Sequence, residues 1–120
     1  GEPIARTLEK LSLPFSVSYS AEADRLAIFQ ADIVIACVGK PKIIKGGGVK
    51  RGAIVIGVGT YPTTSGRIVG DLEEESVSKV VSFYTPTPGG IGPLTVAFLF
   101  QNLLKACKIR GGSRLLPNRV

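Results

Sequence analysis

Two uninterrupted apolar runs constrain this chain more than any other feature: Ile33-Val-Ile-Ala-Cys-Val38 and Ala53-Ile-Val-Ile-Gly-Val58. A strand with one solvated face alternates apolar and polar residues, so runs without alternation point to parallel strands buried on both faces. Gly39-Lys-Pro41 ends the first run and Gly59 the second. Helical spacing surrounds them. Ile4, Leu8 and Leu11 fall at i, i+4 and i+7 on one face of a helix beginning near Pro3, and Pro14 closes that segment. Phe15-Ser-Val-Ser-Tyr19 alternates with period two and reads as a strand, and Ala21 to Gln30 reads as a short helix or turn. After a turn-rich excursion over Tyr61 to Gly66, Arg67 to Val69 is extended. Asp71 to Val81 begins acidic, as suits a helix N-terminus, and Ser82 to Thr85 is short and β-prone. A final helix is predicted from about Pro93 to Lys108. Strands interleaved with helices predict an α/β domain whose parallel sheet is flanked by helices.

Composition limits the chemistry more than it selects it. The 120 residues suit one domain able to bury its own core. An apolar content of 44% leaves two readings open: a surface made to be covered by another domain or subunit, or ordinary globular variation. A formal charge of +6 attracts anions in general, including nucleotide cofactors and nucleic acid. No recognition helix, RNA-binding aromatic signature or long Lys/Arg block marks a nucleic-acid partner, and no apolar run is long enough to span a bilayer. The chain contains no His, which removes His-based triads and His-ligated metals. Cys37 and Cys107 match no metal or redox spacing and read as small buried hydrophobes. Gly46-Gly-Gly48 lies in a connection, a weak signal for a phosphate cradle, and no G-x-G-x-x-G occurs.

Thr85-Pro-Thr-Pro-Gly-Gly-Ile-Gly-Pro-Leu-Thr-Val-Ala97 carries more information. Pro86, Pro88 and Pro93 fix three φ angles, while Gly89, Gly90 and Gly92 permit close backbone approach, giving a stiff loop with bare amides. It ends at a helix N-terminus able to favour negative charge. A ligand-facing loop and a tight connection both fit. The helix that follows is apolar nearly all round, as for a buried core helix or an oligomer interface.

In order along the chain stand Ala31-Asp-Ile-Val-Ile-Ala-Cys-Val-Gly-Lys-Pro41, Val49-Lys-Arg-Gly-Ala-Ile-Val-Ile56, Val69-Gly-Asp71 and Pro86-Thr-Pro-Gly-Gly-Ile-Gly-Pro-Leu-Thr-Val-Ala97. Together they resemble the strand, "VGKP" turn, "VGD" element and "PVPGGVGPMTVA" signature of the methylenetetrahydrofolate dehydrogenase/cyclohydrolase family. The resemblance covers the family's C-terminal nicotinamide-cofactor domain, from Gly1 to about Lys108, with 109–120 as a basic tail. It implies a Rossmann-like fold truncated at its N-terminal strand, and an enzyme that oxidises methylene-tetrahydrofolate with NADP or NAD and hydrolyses the methenyl product. By motif, Ser20, Val38, Gly39, Thr60 and Thr95 would touch the cofactor. Pro88, Gly89, Gly90, Ile91, Gly92, Pro93, Leu94, Thr95 and Val96 would line the folate and nicotinamide crevice. The resemblance further implies a cytoplasmic or mitochondrial setting and either a homo-oligomer or a missing N-terminal folate domain as partner. No nucleic acid or membrane partner and no metal is expected.

Departures from the pattern temper this reading. The family's catalytic Lys and Tyr belong to the N-terminal domain, so no catalytic residue is assigned here, and Lys40, Lys45 and Lys50 match other positions. The family's "DVGIN" reads Gly57-Val-Gly-Thr-Tyr61, losing the Asp to Gly57 and the Asn to Tyr61, while Tyr19 replaces a family His before Ser20. A degenerate, non-catalytic member that keeps the fold for assembly therefore stands as the alternative, with a basic nucleic-acid module behind it.

Overall fold

The computed structural model describes residues 1–111; the expected basic tail falls mostly outside these residues. The elements in chain order are α1 (Glu2–Lys10), α2 (Arg25–Gln30), β1 (Ile33–Ala36), a 3-10 turn (Gly46–Gly48), β2 (Ile54–Gly57), β3 (Thr60–Pro62), β4 (Ile68–Gly70), α3 (Glu74–Val77), β5 (Phe83–Tyr84) and α4 (Ile91–Ile109). The two apolar runs become neighbouring parallel strands, with Ile33 opposite Ile54 and Ala36 opposite Gly57. β5 adds on the other side of β2, giving the order β1-β2-β5. This is the α/β class with a parallel sheet that the sequence predicts.

The core lies against one face of that sheet. Ala36 and Val55 meet Ile44 and Val49 from the first crossover and Leu72 and Val77 from the second. Val55 and Val77 are completely buried. The other face is different: Ile33, Ile35 and Phe83 are exposed, so β1 is buried on one face rather than on both. A second correction concerns Phe15 to Tyr19, which carries strand periodicity but forms no strand. Strand geometry needs a ladder partner, and among the described residues none pairs with this segment or with the edge of β1 that faces away from β2. A third is β3, which forms an antiparallel pair with β4 where only turns were expected before Arg67. Thr63 closes this hairpin, its amide donating to the Arg67 carbonyl at 2.7 Å and its hydroxyl to the same oxygen at 2.8 Å.

α4 begins two residues before the proline expected to start it. It buries none of its side chains within this chain, which overturns the buried-core reading and leaves the interface reading standing; Leu99 and Phe100 are 66% and 63% exposed. α1 likewise buries nothing. The Cα radius of gyration is 18.0 Å, against about 13–14 Å for a compact domain of this length.

Candidate crevice at the carboxyl ends of the strands

In an open parallel sheet the loops leaving the strand carboxyl ends form the natural ligand crevice. Here those loops follow β1 (Cys37 to Lys40), β2 (Val58 and Gly59, leading into Thr60 at the start of β3) and β5 (Thr85 to Gly90). One segment, Gly70 to Glu74, ties all three together. Asp71 is fully buried, and its carboxylate accepts hydrogen bonds from the Val38 amide at 3.1 Å, the Lys40 amide at 3.2 Å and the Gly59 amide at 3.0 Å. Glu74 accepts the Thr87 amide at 2.7 Å. The Lys42 and Ile44 amides donate to the Gly70 and Asp71 carbonyls, at 3.1 and 3.0 Å, and fasten the first crossover to the same segment.

Glycine is required where these pieces meet. A Cβ on Gly59 would collide with both carboxylate oxygens of Asp71, and one on Gly90 with the Pro86 carbonyl. Gly39 adopts φ 65°, a left-handed conformation that favours glycine, with the ring of Tyr61 beside it. Gly57 is buried against Leu72, whose side chain fills the space next to it. The Thr85 hydroxyl accepts the Gly57 amide at 2.8 Å, so β2 stays hydrogen-bonded at its glycine.

Val38, Gly39 and Thr60 are thus drawn to one rim, Val38 through its own amide and Thr60 as the residue after Gly59. Pro88, Gly89 and Gly90 reach the same rim through Thr85 and Thr87, and the Thr87–Pro88 peptide bond is cis. Ile91, Gly92, Pro93, Leu94, Thr95 and Val96 form the first turns of α4, where Gly90 provides no side-chain cap. Gly1 also lies here, against Cys37. Two expected residues have only local partners. The Ser20 hydroxyl accepts the Ala23 amide at 3.2 Å, and the Thr95 hydroxyl donates to the Ile91 carbonyl at 3.1 Å. Cys37 and Cys107 are free and half-buried. Among the described residues no group of three or more acidic or cysteine side chains is placed to hold a metal, and no helix is long and apolar enough to cross a membrane.

Asp71, Glu74 and Thr85 were not singled out from the sequence as site residues. Asp71 reads there as an acidic helix start, yet α3 begins only at Glu74. The one signal in the sequence is the place of Asp71 in the Val69-Gly-Asp71 element that carries part of the family resemblance.

Comparison with known proteins agrees with this fold. A bifunctional FolD protein of Halothermothrix orenii is 41% identical over 112 residues, covering 92% of this chain and 39% of that protein. Another, from Acetivibrio thermocellus, is 49% identical over 81 residues, covering 68% and 28% respectively. Among solved structures, the bifunctional FolD methylenetetrahydrofolate dehydrogenase/cyclohydrolase of Campylobacter jejuni superposes with a TM-score of 0.81 at 38% identity, over 92% of this chain and 39% of that one. The Trypanosoma brucei enzyme, solved with NADP cofactor and inhibitor, gives 0.68 at 36% identity over 73% and 32%. The chain therefore spans about two-fifths or less of the relatives it matches. Residues 1–111 match the tetrahydrofolate dehydrogenase/cyclohydrolase, NAD(P)-binding domain, and the chain belongs to that family.

Proposed function

We propose that this chain is the cofactor-holding part of a methylenetetrahydrofolate dehydrogenase/cyclohydrolase, with 1–108 as the working domain and 109–120 as a basic tail. The observation that carries it is the convergence of the three strand-end loops on the Gly70–Glu74 segment, at the crevice where an α/β sheet takes its ligand. The residues fit a nicotinamide cofactor. Val38 and Thr60 are exposed at the rim beside Gly39, and α4 starts without a side-chain cap, leaving its first amides free for an anion.

When bound, the cofactor supplies the hydride acceptor. The chain's own work is positional. Val38, Gly39 and Thr60 would hold the nicotinamide end against the Pro88–Val96 loop and helix start, which shape the folate side of the crevice. Ser20 and Thr95 would contribute hydroxyls after giving up their local bonds. The hydrolytic step and the proton-transferring side chains belong to a folate domain, which we infer to cover α4 in a cytoplasmic or mitochondrial enzyme; a second copy of the chain is the alternative occupant of that surface.

Calorimetric titration of the chain with NADP and NAD tests this. Saturable binding of one or both, weakened by Gly39→Val and by Thr95→Val, is expected, with negligible oxidation of methylene-tetrahydrofolate by the chain alone. Absence of binding to a folded chain, or turnover near that of an intact enzyme, would overturn the assignment. A non-catalytic assembly subunit is the second reading, favoured by Gly57 and Tyr61 standing where the family pattern has Asp and Asn; it predicts no cofactor binding.

A further inference from the structure

Asp71 presents an unusual electrostatic arrangement. Its side chain is fully buried, and the only ion pairs among the described residues are Glu2 with Arg6 and Asp32 with Lys50. A buried carboxylate without a cation is costly unless its oxygens are saturated by donors. Three backbone amides supply that compensation, and they come from two separate loops. Oδ2 accepts from Val38 and Gly59, and Oδ1 from Lys40.

Consider what this does to the loop after β1. Val38 and Lys40 both turn their amides inward to the same carboxylate, with Gly39 between them in the left-handed region. Consecutive amides around a left-handed residue form a concavity suited to an anion, and here the anion is part of the protein. The Gly39 turn is therefore held from behind. Gly59 is held by the same oxygen, at the distance that its missing side chain allows. The residue carrying the carboxylate is itself anchored: its carbonyl accepts the Ile44 amide, and Leu72 beside it is buried in the core. Fastening a loop to the core requires only apolar packing; setting the separation of two loops requires a group that bonds to both.

We infer that Asp71 is a positioning residue for the nicotinamide cofactor. It need not touch the cofactor; it sets the spacing between the Val38–Lys40 turn and the Gly59–Thr60 loop, and so sets affinity. The inference rests on the cofactor-binding reading above.

The test compares the full chain with Asp71→Asn and with Val77→Ala, the latter a completely buried core position on α3 whose backbone bonds to Glu73, Val80 and Val81 and not to the three loops. Asn keeps the shape but replaces one acceptor oxygen by a donor, which opposes a backbone N–H. Three quantities are measured: affinity for NADP and NAD, the thermal unfolding midpoint, and amide exchange at Val38, Lys40 and Gly59. D71N is expected to bind at least about tenfold more weakly and to exchange faster at those three amides. V77A is expected to lower the midpoint while leaving affinity within about twofold. D71N that folds and binds like the unsubstituted chain overturns the proposal, as does V77A losing affinity in step with its stability. If D71N fails to fold, exchange in the unsubstituted chain without cofactor decides. Val38, Lys40 and Gly59 protected to the level of Val55 support the brace, and rapid exchange there refutes it. Failure of the unsubstituted chain to bind either cofactor removes the underlying reading and the proposal with it, a result distinguishable from unchanged binding by D71N.

Discussion

The strand-end rim and the long helix α4 are joined directly through Gly90, yet they are held in opposite ways. At the rim the fastening contacts are polar, specific and buried or part-buried: a carboxylate on three amides, a hydroxyl on the Gly57 amide and a glutamate on the Thr87 amide. On α4 the surface is apolar and open, with Leu94, Val96, Phe98, Leu99, Phe100, Leu103 and Leu104 each more than half exposed. The three rim loops are hydrogen-bonded together by residues of this chain. Monomeric proteins rarely expose so continuous an apolar surface. The contrast separates a region held by its own hydrogen bonds from one whose apolar surface has no partner among the described residues.

If this contrast is right, substitutions in the two regions should differ sharply in cost. Gly59→Ala should have the largest effect, because its Cβ must displace the Asp71 carboxylate. A loss of about 3 kcal/mol or more, or failure to fold, is expected from chemical denaturation. Val77→Ala removes two methyl groups from a completely buried site and should cost about 2 kcal/mol in the same measurement. Thr85→Val keeps the shape but leaves the Gly57 amide without its hydroxyl acceptor, for an expected loss of about 1–2 kcal/mol.

On α4, Leu99→Ser with Leu103→Ser should change unfolding by no more than about 0.5 kcal/mol each and should reduce self-association in sedimentation. A loss comparable to Val77→Ala would mean that α4 packs within this chain, and the contrast would fail.

The smallest effect concerns Asp32, whose carboxyl the hydrogen-bonded Lys50 ammonium holds below the usual carboxylate range, with the Coulombic attraction of the same ammonium adding to it. A carboxyl depressed in the folded state favours folding above its unfolded pKa, and that contribution is lost as pH falls through the folded value. Both groups are largely exposed, so Asp32→Asn should alter stability very little at neutral pH and should flatten slightly its decline below about pH 4.

Legibility from sequence followed the physics of each signal. β1, β2 and α4 were readable because their apolar runs are long and bounded by glycine or proline. Thr85 to Ala97 was readable as a stiff loop leading into a helix because proline and glycine act locally. Phe15 to Tyr19 was misread because period-two alternation describes a residue pattern, while a strand exists only with a neighbour to pair with. The open face of β1 and the bare surface of α4 were invisible for the same reason, since burial depends on what lies opposite. Asp71 was missed for the converse reason. Its partners lie 12 to 33 positions away in sequence, and nothing near it signals that an acidic side chain turns inward.

The central claim is that the rim braced by Asp71 is where a nicotinamide cofactor binds. Residue-resolved hydrogen exchange of the chain, with and without saturating NADP or NAD, tests it most directly. Slower exchange should appear at Val38 to Lys40, at Gly59 and Thr60, and at Gly89 to Gly92, with no change across α2 or the Gly46–Gly48 turn. Protection confined to those other regions, or none at any of the rim amides under saturating cofactor, would contradict it.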